Sequence, residues 1–266
     1  MMKRFVPLIL FAALYCSCNN DQQSTDKPLN QSATLIQQFK PIIQGVWVKK
    51  DYIKKVKKSK SPLEAAERSK GITLMLIDTL KMSGENIEVP LIRDNHEAGK
   101  ETLTFEPGRN TTTIMFGKDE LSYKLKKDTT LIIYHYNADT RETDLNQYIK
   151  VSDKAPASGF AAGMDVAINQ AIIAGRYEGT DASGKKIAVT FTDDGKVSGL
   201  PGLSTYFVQN YFGAHPESGH DELIFNQGAP GQKVYSFILH KKALRLYNDA
   251  AQIKSNKPSF TLNRKR

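Results

Sequence analysis

The side chains able to do chemistry fall into a few groups. Cys16 and Cys18 are the only thiols. They stand two positions apart, a poor disulfide pair, and nothing else in the chain could pair with either. Their place just after an apolar run marks a processing site, not a fold element. The second group lies in "YFVQNYFGAHPESGHDE", Tyr206 to Glu222. Four rings, Tyr206, Phe207, Tyr211 and Phe212, precede His215, Glu217, His220 and Asp221. At a barrel mouth such rings could stack a sugar or hold a lipid, with the tyrosine hydroxyls orienting it. Packed together they would be core, followed by a polar loop. The two histidines with Asp221 could ligate a metal, but their spacing matches no established pattern, and no metal site is assigned.

A third group is "KKDYIKKVKKSK", in which Lys49, Lys50, Lys54, Lys55, Lys57, Lys58 and Lys60 surround Tyr52, Ile53 and Val56. At helical spacing those three make one narrow apolar stripe. The stripe fits a basic amphipathic helix lying on anionic headgroups, where each lysine contributes about 1 kcal/mol. It fits equally a solvated face whose three apolar residues pack on the protein. His135 alternates with Tyr134 and Tyr136 in a strand-like run and reads as structural. Asp193 and Asp194 precede Gly195, where a turn favours aspartate on conformational grounds. The chain has no nucleophile elbow, zinc His-Glu-x-x-His, phosphate-cradling Gly-Lys-Ser/Thr loop or dinucleotide fingerprint. No catalytic residue or cofactor is therefore assigned, and a non-enzymatic protein is expected.

The cysteines acquire a meaning from their flanks. Lys3 and Arg4 form a basic n-region, Phe5 to Tyr15 an apolar run too short to span a bilayer, and Ser17 a small residue before Cys18. Cys16 follows bulky Tyr15 instead. This segment resembles a bacterial lipoprotein signal with a relaxed lipobox. The resemblance implies cleavage after residue 17, acyl chains on Cys18, and a lipid-anchored place in the cell envelope, at the outer membrane. The partner implied is membrane lipid, through the anchor. An ordinary secretory signal cut nearby, leaving a free thiol, is the other reading. Losing 17 of 266 residues leaves 249, and losing Lys3 and Arg4 lowers the net charge from +9 to +7. Outside the cytoplasm that balance argues for anionic headgroups or acidic polysaccharide, or for simple solubility, and not for nucleic acid.

Residues 18–32 carry one apolar side chain beyond the cysteine, Leu29, and read as a flexible tether. The Ala/Gly/Ser/Pro-rich stretch 153–163 reads as a linker between two domains, 33–152 and 164–266. Both domains open alike: "PIIQGVW" at Pro41 lines up with "AIIAGRY" at Ala171, an offset of 130 positions. Each copy follows a short amphipathic helix. The first uses Leu35, Ile36, Phe39 and Ile43, the second Val166, Ile168, Ile172 and Ile173. Short β-branched and aromatic runs follow in both, such as "TTLIIYHY" and "KKIAVTFT", separated by turn residues. Asp194-Gly195 fits a type I′ hairpin turn, and "GLPGL" a sharp reversal. Ser61, Pro62, Glu64 and Gly71 bracket an inserted helix with N-cap, first-turn proline and C′ stop, able to plug one barrel end. The fold class expected is mainly β with a few short helices: two small antiparallel β-barrel or sandwich domains related by an internal repeat.

Gly45-Val46-Trp47 and Gly175-Arg176-Tyr177 resemble the Gly-x-Trp opening of lipocalin-like (calycin) barrels. In that family the aromatic residue packs at the closed end and a basic residue beyond the last strand covers it. Lys150 and Arg264 stand at those places here. The resemblance implies a barrel whose interior binds apolar small molecules, though many such interiors are filled. Two functions follow as expectations. One is an anchored protein binding a small apolar or amphipathic ligand through Tyr206, Phe207, Tyr211 and Phe212. The other is a structural or interaction module with filled β domains that docks a protein or glycan.

Overall fold

The structure is a computed structural model describing residues 27–211 and 219–265. Cys16, Cys18 and the leader before them, with Phe212, His215 and Glu217, lie outside the described residues. The first half forms β1 (Gly45–Lys49), β2 (Ile72–Ile77), β3 (Asn86–Arg93), β4 (Glu97–Pro107), β5 (Ile114–Phe116), β6 (Asp119–Lys124), β7 (Thr130–Asn137) and β8 (Glu142–Ser152). Each strand pairs antiparallel with the next, and β8 returns to β1, closing a barrel.

The second half repeats the plan. Its strands are β9 (Gly175–Asp181), β10 (Lys186–Phe191), β11 (Val197–Ser198), β12 (Tyr206–Val208), β13 (Asp221–Phe225), β14 (Lys233–His240), β15 (Ala243–Tyr247) and β16 (Phe260–Arg264). Here too the last strand pairs with the first. The seam between β11 and β12 is held only by the isolated bridge Lys196↔Thr205. Two eight-stranded antiparallel barrel-like sheets in the same order are consistent with a lipocalin-like fold.

The repeat holds at the atomic level. The Trp47 indole N–H donates to the Ile43 carbonyl (2.8 Å), and the Tyr177 hydroxyl donates to the Ile173 carbonyl (2.7 Å). Both pairs sit 130 positions apart. Trp47 pairs across strands with Lys150, and Tyr177 with Arg264. The Lys150 ammonium stands 5.1 Å over the Trp47 ring and the Arg264 guanidinium 5.8 Å over Tyr177, within cation–π reach. Both motif glycines are required locally. Gly45 has φ +127°, and a Cβ there would fall 2.4 Å from the Ser152 carbonyl oxygen. A Cβ on Gly175 would meet Arg264 Nε at 2.6 Å.

Buried apolar side chains of the described residues pack both interiors. Trp47, Met75, Val89, Leu103, Phe105, Phe116 and Leu131 are wholly or almost wholly buried in the first barrel. Helix α1 (Lys27–Ile43) adds Leu35, Phe39 and Ile43 to that core. It starts inside the stretch read as tether, because the apolar face at helical spacing has a barrel end to close. The plug is thus α1 and not the inserted helix. That insert is α2 (Lys50–Ser59) followed by a single turn, α3 (Pro62–Ala65), and a 3-10 segment. Ser61 caps α3 as expected, accepting from Glu64 N–H at 2.9 Å, but the helix does not run to Gly71.

Strand β1 is buried on both faces. Trp47 points to the barrel core, while Val46 and Val48 join a second core. That second core takes Tyr52 and Val56 from α2, Met164 and Ile168 from α4 (Ala162–Ile168), and the interior of the second sheet. Gly163 lets α4 come close: a Cβ there would meet Val46 Cγ1 at 2.5 Å. Between α4 and β9 lies a π-helical turn, Asn169–Ile173.

Candidate functional site

The expected ring cluster is divided by strand alternation. Tyr206 and Val208 face inward on β12, and Phe207 faces the other way. Tyr206 is a core residue, correcting its assignment to a ligand site. It is 5% exposed, its hydroxyl donates to the Thr192 carbonyl at 2.6 Å, and its ring packs edge-on to Phe191 at 5.0 Å. Burial raises its pKa above the ordinary tyrosine value. Phe207 and Tyr211 instead line a cleft of about 440 Å³ between the two β domains. Tyr211, 39% exposed, stacks on His96 with ring centroids 4.0 Å apart.

Four parts of the chain build the cleft. Thr73 and Leu74 come from β2, and Ile92, Asn95 and His96 from β3 and the turn after it. Ser158, Ala161, Ala162, Met164 and Asp165 come from the linker and α4, and Phe207, Asn210 and Tyr211 from β12 and the chain beyond. The turn is set by Asp94 and Asn95, both at positive φ, a conformation these two residue types tolerate. Asn95 then crosses the seam, its amide donating to the Asn210 carbonyl at 2.8 Å. Asn210 in turn donates to the Asp165 carboxylate at 2.9 Å. Burial pushes the Asp165 pKa up to about 6 against the bond from Asn210. Just behind this wall the buried Tyr52 hydroxyl and Asn95 Oδ1 both lack a well-formed hydrogen bond.

The remaining candidates fall elsewhere. Tyr52, Ile53 and Val56 are 0%, 7% and 0% exposed, so the stripe on α2 is packed against the protein and cannot lie on headgroups. Lys54, Lys57 and Lys58 remain exposed on the outer face, while Lys49, Lys50, Lys55 and Lys60 are partly covered. Lys50 is committed to Gln147 Oε1 at 2.9 Å. Asp221 is buried and accepts the Leu63 N–H at 2.8 Å, tying β13 to the inserted α3. His135 meets Asp119 at 2.7 Å on the strand face that also carries Leu131 and Ile133. Asp194 is held by Thr192 and Lys196, and the Lys196 bond lowers its pKa. That turn is not type I′: Gly195 has φ +81°, while Asp194 is not in the left-handed region. It is a Thr192–Gly195 turn with glycine in the last position.

The cleft brings Phe207 and Tyr211, which the sequence singled out, together with His96, Asn95, Asp165 and Asn210, which it did not. None belongs to a motif, and they come from segments up to 115 positions apart. Compared with protein-family models, curated proteins and solved structures, the chain matches none.

Proposed function

We propose that this chain is a non-enzymatic envelope lipoprotein that binds a small amphipathic ligand in the cleft between its β domains, not inside a barrel. The observation that carries this is the cleft itself. Its volume of about 440 Å³ falls within the about 300–1,000 Å³ typical of ligand pockets. Apolar and ring side chains line it, with a few polar groups converging among them. Acyl chains on Cys18, added as the leader is cut away, supply the anchor in this reading.

Two measurements test it. Radiolabelled palmitate should label the wild type and Cys16→Ser, and fail to label Cys18→Ser. The neutral fluorophore Nile red should be taken up by the parent and lost in Phe207→Ala, with little change in melting, because Phe207 is half-buried and faces out of the core. Tyr206→Ala should instead lose about 3–5 kcal/mol of stability, as core ring deletions do. A second reading, a docking module for a protein or glycan, is favoured by the filled interiors. A parent chain that takes up no fluorophore would put that module in place of the ligand-binding reading.

A further inference from the structure

We infer that the interdomain cleft is selective for a protonated amine carried on an apolar, ring-bearing body, with the Asp165 carboxylate reading the charge. This rests on the ligand-binding reading above and names its ligand class. Among the described residues Asp165 is the only carboxylate lining the cleft, and no lysine or arginine among them lines it. Among the described residues Asp165 belongs to no ion pair. Its one hydrogen bond from a described residue comes from the Asn210 amide to Oδ1. No donor among the described residues reaches Oδ2. This is notable in a chain with 37 lysines and arginines. Other carboxylates here find a cation at short range: Asp153 with Lys150 at 3.0 Å, Glu178 with Lys265 at 2.6 Å, Asp194 with Lys196 at 2.6 Å.

The repeat supplies an internal control. At the offset of 130, Asp165 and Asn169 stand where α1 has Leu35 and Phe39. In the first copy that helix face is apolar and closes a filled barrel. In the second copy the corresponding positions are a carboxylate and an amide, and a π-helical turn begins at the amide. Such turns are frequent at functional sites. The Asn169 amide serves the fold, donating to the Asp193 carbonyl at 3.0 Å, but Asp165 does not serve packing, since an apolar residue there would remove the cost of burying a charge.

The rest of the wall suits the ligand's other end. Phe207, Tyr211 and the Tyr211–His96 stack present ring faces, and Leu74, Ile92 and Met164 add apolar surface. A ring-bearing amine would stack on these while its ammonium donates to Asp165 Oδ2. In a partly dry cleft that pairing is far stronger than in water. Burial already penalises the bare carboxylate, so a bound cation also relieves a cost the free protein carries.

The test is isothermal titration of the purified full chain at pH 7.5 with three probes of one shape. These are 2-phenylethylamine (cation), 2-phenylethanol (neutral) and 3-phenylpropionate (anion). The amine should bind at least tenfold more tightly than the alcohol, and the carboxylate not measurably. Asp165→Asn should bring amine and alcohol within twofold of each other while melting no lower than the wild type, which separates lost recognition from lost folding. Equal affinities for amine and alcohol in the wild type would overturn the charge selectivity and leave the apolar cleft standing. An amine preference that survives Asp165→Asn would overturn the assignment to Asp165. Binding of none of the three would overturn both this inference and the ligand-binding reading.

Discussion

Asp165 couples the candidate site to stability. Its carboxyl holds a proton up to about pH 6 in the folded chain, against an ordinary value of 3.8. Between those values the folded state binds more protons than the unfolded state. Stability contributed by this group is therefore full at low pH, falls as pH rises through the window, and stays low above it. The ceiling is about 3 kcal/mol at 1.36 kcal/mol per unit. Partial exposure of the side chain reduces that to about 1–2 kcal/mol. Urea unfolding of wild type and Asp165→Asn should agree near pH 4 and diverge toward pH 7.5, with the variant more stable by that amount. The comparison cancels Asp221, whose pKa burial also raises, and Asp194, whose shift runs the other way. A difference that does not change with pH would show that Asp165 titrates normally.

Among the elements, closure of the first barrel depends on β1 lying against the end of β8. Gly45 permits this through its positive φ and its contact with the Ser152 carbonyl. Gly45→Ala meets both penalties, and the obstacle is backbone, which cannot swing aside. Gly84 also has positive φ, at +59°, but a Cβ there meets nothing within 4 Å. Gly84→Ala should cost only the left-handed penalty of about 1–2 kcal/mol. Gly45→Ala should cost more, about 3 kcal/mol or above, since overpacking alone takes about 1–3 kcal/mol. Thermal melts of the two variants side by side check this. Equal losses would mean that the β1–β8 contact relaxes freely. The same comparison explains why glycine precedes the aromatic residue in both copies: one approaches a carbonyl, the other an arginine.

For the molecule as a whole, the core does not divide where the chain does. Val46, Val48 and Leu74 sit on the outside of the first barrel, yet they are buried with α2, α4 and the interior of the second sheet. Hydrogen bonds from Asn95 to Asn210 and from Leu63 to Asp221 cross the same seam. Separating the halves would expose this apolar surface at about 25 cal/mol per Å². The described chain should therefore unfold in one cooperative calorimetric transition, and a fragment of residues 33–152 should bind a hydrophobic dye and melt well below the intact protein. Two resolved transitions, or a fragment as stable as the whole, would show that the shared core is weak. The cleft depends on the same seam, so a ligand bound there should raise the single melting temperature.

The amino-acid sequence alone determined the two β domains and the repeat with its Gly-x-aromatic openings, while Lys150 and Arg264 above the rings were implied only by the lipocalin resemblance. The domains and the repeat rest on local alternation, turn chemistry and identical residues at a fixed offset, all of which can be read along the chain. Less local strands were harder to see. Strand β2, "ITLMLI", is apolar without alternation because both its faces are covered over much of its length. Pro90 disguises β3, and the mostly polar "ETDLNQYIKVS" disguises β8. Only the tertiary structure decided which apolar faces meet. It placed the α2 stripe against protein and not lipid, Tyr206 in the core with Phe207 outside it, and α1 in the barrel end. It also brought Asp165 to a cleft with His96 and Tyr211. The reason is physical: burial and the loss of a counter-charge are properties of what surrounds a side chain, and those surroundings come from segments that nothing in the local sequence connects.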